Sequence, residues 1–162
     1  MSDEGMLYPF FEWLGSFALG RAIGESLWIY PVVQAFHLVF LAILVGALLI
    51  VDLRLLGRGM IRQPTAQVAR DAWPWFLTGL VGMVLTGVPQ LMQNWSRQYY
   101  SEFFWQKMYF LAAALVFTFT VRYWVTRSEG RVAPVWAKLV AVVSIFLWMN
   151  VAIAGRLIGL LT

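Results

Sequence analysis

Cysteine is absent from this sequence. That absence excludes disulfides, thiolate metal sites, iron–sulfur clusters and cysteine nucleophiles. Charge is scarce, at 12% of residues, about half the roughly 25% of a soluble domain. Histidine occurs once, at His37, so two-histidine haem ligation within one chain is excluded. No serine triad, paired catalytic carboxylates, phosphate-binding loop or zinc motif can be found.

What the chain has in excess is apolar surface. Hydrophobic residues make up 61% of it, against roughly 45–50% in soluble domains. A soluble fold of this length could not hide so much, whereas lipid can serve as the solvent. The length suits one transmembrane domain over residues 1–162 and leaves no room for a second. The net charge of +4 fits basic cytoplasmic loops better than nucleic acid, so the bilayer is the expected partner and nucleic acid is not. Nine Trp residues suit the membrane–water interfaces.

A helix that crosses the hydrocarbon core needs about 20 mostly apolar residues. Four stretches qualify, over residues about 27–51, 73–93, 102–125 and 134–161. Ser26, Asp71 and Ser101 are expected to cap the first three. Pro31, Pro74 and Pro134 fall near helix starts, where a missing N–H is tolerated. Pro89 is expected to kink the second span near its end. The fold class is therefore all-α, an integral membrane four-helix bundle. An N-terminal segment over about residues 9–24 is too short and too polar to span, because Glu12, Ser16 and Arg21 interrupt it. Phe10, Phe11, Leu14, Phe17 and Ala18 recur at helical spacing, which predicts an interfacial amphipathic helix. The acidic start, Met1 to Glu4, does not resemble a cleaved signal peptide.

Loop charges give the orientation. Arg54, Arg58, Arg62 and Arg70 flank the first connection between spans, and Arg122, Arg127, Arg131 and Lys138 flank the third. The second connection carries only Arg97, with Lys107 just inside the next span. The positive-inside rule puts both basic loops in the cytoplasm and both termini outside. Small residues mark where helices should approach: Thr78, Gly82 and Thr86 on the second span, and Val151, Gly155 and Gly159 on the fourth.

Ionisable groups inside a membrane cost at least roughly 2.5 kcal/mol each at mid-bilayer and so require a reason. His37 lies about ten residues into the first span, roughly 13–15 Å below the outer boundary at about 1.5 Å per residue. Gln34 shares its helix face. Gln90, Lys107, Asn150 and Arg156 fall in the same outer half of the other spans. The spacing predicts that His37, Lys107, Asn150 and Arg156 converge. The other half carries Asp52, Arg54 and Arg122, which read as boundary charges, with Asp52 and Arg54 pairing with each other or with headgroups.

Each of these residues also has a plainer role. Lys107 and Arg156 can snorkel, Asn150 and Gln90 can bridge helices, and His37 can bond a neighbouring span. Alternatively, neutral imidazole is an axial ligand for haem iron. Met83, Met92, Met108 and Met149 offer thioethers, Lys107 and Arg156 could neutralise two propionates, and copper would use His and Met ligands. His37 is thus the candidate metal ligand, and His37, Gln34, Lys107, Asn150 and Arg156 are the candidate cofactor-binding set.

The stretch Glu25-Ser-Leu-Trp-Ile-Tyr-Pro, then His37, then Gly46 to Gly57 (GALLIVDLRLLG), and the ending Ala154-Gly-Arg-Leu-Ile closely resemble a bacterial family of uncharacterised small membrane proteins. His37 followed by Asp52-Leu-Arg-Leu, and Lys107 in Phe104-Trp-Gln-Lys-Met, more distantly resemble two further groups. These are the haem-containing membrane protoporphyrinogen oxidases and the copper-resistance D family. The resemblance implies a bacterial inner (plasma) membrane protein, and in a bacterium the outside termini given by the loop charges would be periplasmic. It also implies an axial haem b ligand at His37 and a functional basic residue at Lys107. Three functions are then open. One is haem b binding with a redox or electron-transfer role near the outer face, with quinone or a membrane protein as partner. The second is a non-catalytic structural subunit of a larger complex or homo-oligomer. The third is small-molecule or metal-ion transport. An alkaline phosphatase fused after Thr162 is expected to be active. An inactive fusion, with a cytoplasmic reporter active at the same site, would reverse the topology.

Overall fold

A computed structural model describes residues 5–128 and 131–161, the side chains of 160 and 161 excepted. Met1 to Glu4 and Thr162 lie outside the described residues. Among the described residues there are helices and no strand. In chain order these are α1 (Tyr8–Gly15), α2 (Ala18–Glu25), α3 (Ile29–Leu55), α4 (Thr65–Gln93), α5 (Trp95–Tyr99), α6 (Glu102–Phe117), a π-helical turn (Thr118–Arg122), α7 (Tyr123–Arg127) and α8 (Pro134–Leu161). Ile29–Leu55, Thr65–Gln93, Glu102–Arg127 and Pro134–Gly159 are each long and apolar enough to cross a membrane. The chain is an all-α integral membrane bundle.

The boundaries differ from the sequence expectation where amphipathic turns extend the apolar runs. α3 continues to Leu55 and ends against Gly57, whose φ of 74° closes the last turn. α4 starts at Thr65, so Asp71 does not cap it and Pro74 lies inside the helix. Val68 and Ala72 are buried there while Arg70 and Asp71 face outward, so this part of α4 is held by protein contacts rather than by lipid. The N-cap of α3 is Trp28, and Ser26 sits two residues earlier, where its Oγ accepts from the backbone N–H groups of Ile29 and Trp28 at 3.3 and 3.4 Å. Ser101 occupies the N-cap position of α6, but its buried Oγ has no partner among the described residues.

The N-terminal segment is two short helices instead of one. Ser16 donates from its hydroxyl to the Trp13 carbonyl at 2.6 Å and Phe17 is extended, which breaks the helix. Phe11, Leu14, Gly20 and Ile23 are buried against the ends of the spans. Phe11 meets Tyr99, Phe104 and Trp105 with ring centroids 5.3, 5.8 and 5.9 Å away. Gly20 lies against the Met92 backbone, where a Cβ would come within 2.9 Å. Phe10, Trp13 and Leu19 remain exposed, an apolar face of the kind an interfacial segment presents to lipid.

Two helical hairpins form the bundle. α3 packs along α4, and α6 packs along α8. Gly79 carries the first contact: a Cβ there would sit 2.7 Å from the Leu44 nitrogen. Gly82 opens space for the Phe40 ring. Thr78, expected in that row, is exposed. Contacts of α3 with α8 join the hairpins, and α4 reaches the third span through α7.

At the basic-loop end, a buried polar clasp replaces the boundary charges expected there. Asp52 is 1% exposed, Arg122 6% and Ser144 0%. Arg122 donates from Nε to Asp52 Oδ1 at 2.8 Å and from Nη2 to the Leu48 carbonyl at 3.1 Å. Ser144 donates to Asp52 Oδ2 at 2.8 Å. The partner of Asp52 is thus Arg122, while Arg54 donates to the Gln63 carbonyl at 2.7 Å in the adjoining loop. The π turn inserts one residue into the third span and re-phases the residues after it. Thr118 and Arg122 both face inward across it, and Trp148 donates to Thr118 Oγ1 at 3.2 Å.

An uncompensated charge in this core should be costly. Asp52→Ala, which strands Arg122, is expected to lose about 3–5 kcal/mol of stability in denaturing-detergent titrations. Combining Asp52→Leu with Arg122→Met should recover most of it. A single-variant loss below about 1 kcal/mol would contradict this role.

Candidate functional site

At the other end, His37 stands in the third turn of α3 and faces α4. Its Nδ1 lies 2.7 Å from Thr86 Oγ1. The Thr86 hydroxyl has one proton, and it donates that proton to the Gly82 carbonyl at 2.6 Å, a bond that threonine commonly makes within a helix. Toward His37, Thr86 can therefore only accept. The network assigns the proton of the neutral ring to Nδ1 and leaves the lone pair on Nε2. Gly87 adjoins the ring, where an added Cβ would stand 3.4 Å from His37 Cε1, in ordinary contact. Gln90 donates to the Thr86 carbonyl at 3.0 Å, and Gln98 donates to the Gln90 carbonyl at 3.2 Å, which extends the polar cluster toward α5.

Three cavities meet at His37 and Lys107. The first, of about 280 Å³, is an apolar slot between α4 and α6, with Leu80, Met83, Val84, Met108 and Leu111 among its walls. The second, of about 200 Å³, is polar and bordered by Tyr30, Gln34, Gln90, Asn94, Arg97 and Gln98. The third, of about 110 Å³, lies toward α8 and includes Gln34, Met83, Gly155 and Arg156. His37 and Lys107 line all three. Lys107 lies beside Gly155 of α8, where an added Cβ would stand 3.6 Å from Nζ, in ordinary contact. No carboxylate lines any of the three, so Lys107, Arg97 and Arg156 make the polar side cationic.

His37, Gln34, Lys107 and Arg156 are thus brought together. Asn150 is not, since it donates to the Phe146 carbonyl of its own helix at 2.8 Å and lines none of these cavities. Of the methionines, Met83 and Met108 border the slot, while Met92 packs beneath Gly20 and Met149 is exposed. Thr86, Arg97 and Gln98 are additions to the expected set. In sequence Thr86 stands out only as a small residue for helix packing, and nothing in its spacing links it to a histidine on another span. Among the described residues no three His, Cys, Asp or Glu side chains gather as a metal site.

Because the chain has one histidine, ¹⁵N-histidine labelling gives one pair of ring signals. The Nδ1–H tautomer is expected, and Thr86→Val should admit the Nε2–H form. A wild-type spectrum dominated by Nε2–H would contradict the assignment.

No curated protein and no solved structure matches the chain. A family profile does match, over residues 10–161, which is nearly the whole sequence and includes every residue of the cavity walls. The chain belongs to DUF6644, a family of unknown function.

Proposed function

We propose that this is a membrane-embedded binding protein for an amphiphile with anionic groups, and that haem b, ligated by Nε2 of His37, is its occupant. One observation carries the reading: a histidine whose Nδ1 is held by Thr86 borders both an apolar slot and a cationic chamber. The Thr86 bond at Nδ1 is the kind of outer contact that orients ligating histidines. A porphyrin brings four ligands of its own, so a single histidine suffices where no multi-residue metal cage exists. Lys107 and Arg156 would hold the propionates, and Met83 or Met108 could offer a thioether from the slot wall. When bound, haem would supply one-electron chemistry, and this end of the bundle would serve redox or electron transfer. The protein's own part is to orient the imidazole, neutralise the acid groups and keep water from the slot.

The apolar slot also favours a second occupant, a quinone or quinol headgroup. In the quinol form a hydroxyl could donate to Nε2, and in the quinone form Lys107 could donate to a carbonyl.

Protein purified in mild detergent from haem-replete cells is expected to show a Soret band that His37→Ala abolishes. Lys107→Gln should weaken haem binding about tenfold or more, since a charged hydrogen bond contributes roughly 1.5–3 kcal/mol. A colourless, folded protein that releases a quinone on solvent extraction would favour the second occupant. A colourless protein that releases no amphiphile would overturn both and favour a structural subunit.

A further inference from the structure

The far end of the bundle holds a separate small cavity, of about 90 Å³, between the first turns of α4 and the π turn with α7. Arg70, Trp73, Arg122, Tyr123, Thr126 and Arg127 border it, and Ala66 and Ala69 leave its floor open. The charge of Arg122 is already matched by Asp52. Arg70 and Arg127 have no carboxylate partner among the described residues. The Arg127 guanidinium lies 4.2 Å over the Tyr123 ring, which orients it and leaves its N–H edges available.

The position in the membrane decides what these cations meet. Trp75, Trp124 and Trp136 are exposed at this end on three spans, as an interfacial aromatic belt is. Arg58, Arg62 and Lys138 lie on the same side, and Arg58 and Arg62 are exposed. The cavity therefore opens at headgroup depth, on the face with the basic loops. It is too small for a large soluble ligand and suits one phosphate group. Basic pockets between spans at this depth are sites for anionic lipid headgroups.

We propose that Arg70 and Arg127 clamp the phosphate of an anionic phospholipid, with Trp73 and Tyr123 against its glycerol region. The site does not depend on what occupies the His37 cavities. Arg70 and Arg127 are both exposed, so their loss leaves the core intact.

The test is native mass spectrometry of the full chain, released from bilayers of equal phosphatidylglycerol and phosphatidylcholine. Wild type should retain phosphatidylglycerol with a preference of roughly tenfold to thirtyfold, the scale expected of two cations near an anionic headgroup. Arg70→Gln with Arg127→Gln should abolish that preference, while Arg62→Gln with Lys138→Gln, an equal change in charge, should preserve it. Equal loss in both double variants would reduce the effect to general surface charge and overturn the site. No preference in wild type would also overturn it. Binding of inorganic phosphate that depends on Arg70 and Arg127, with no lipid preference, would assign the cavity to a free anion and overturn the lipid assignment.

Discussion

The buried pair of Asp52 and Arg122 constrains the rest of this bundle. Two charges in an apolar core are tolerated only when each polar atom finds a partner, because the desolvation penalty is otherwise several kcal/mol per ion. Here Asp52 comes from α3, Arg122 from the π turn and Ser144 from α8, while the Leu48 carbonyl takes a second guanidinium donor. Three of the four spans are thereby fixed in rotation and height at one end. The π turn belongs to the same constraint, since without its extra residue Arg122 would take a different phase around the helix.

A bundle fastened at one end can open at the other. α4 meets the third span through α7, near the clasp, and a slot separates it from α6 toward the opposite end. The cavities around His37 and Lys107 occupy that opening. Their walls are graded: aliphatic and thioether groups line the slot, amides and cations the chamber toward the ends of the helices. Tyr8, Phe11, Trp95, Tyr99, Phe104 and Trp105 pack in edge-to-face and tilted pairs across this end, so α1 is held against α5 and the start of α6 by aromatic contacts instead of by charge.

Glycine serves the two ends differently. Gly79 brings the backbones of α3 and α4 together, which tightens the middle of the first hairpin. Gly87 and Gly155 instead adjoin the His37 ring and the Lys107 side chain at distances where a Cβ would make ordinary contact. Arg156 stays exposed at the edge of the third cavity.

Hydropathy alone determined that the chain spans a membrane four times, since about 20 apolar residues in a row have few other stable solutions. The same pattern exposed His37, Gln34, Lys107 and Arg156 as residues at one depth, because a polar group in such a run stands out locally. Partner choice was not local. Asp52 lies 70 positions from Arg122, and His37 lies 49 from Thr86. Which side chains meet depends on how the helices cross and on the phase shift of the π turn. Asn150 shows the limit from the other side: its depth matched the cluster, but its position around α8 did not. Depth can be counted along a sequence at a fixed rise per residue, whereas rotation about the helix axis is settled only when neighbouring helices pack and each buried polar atom must find a partner.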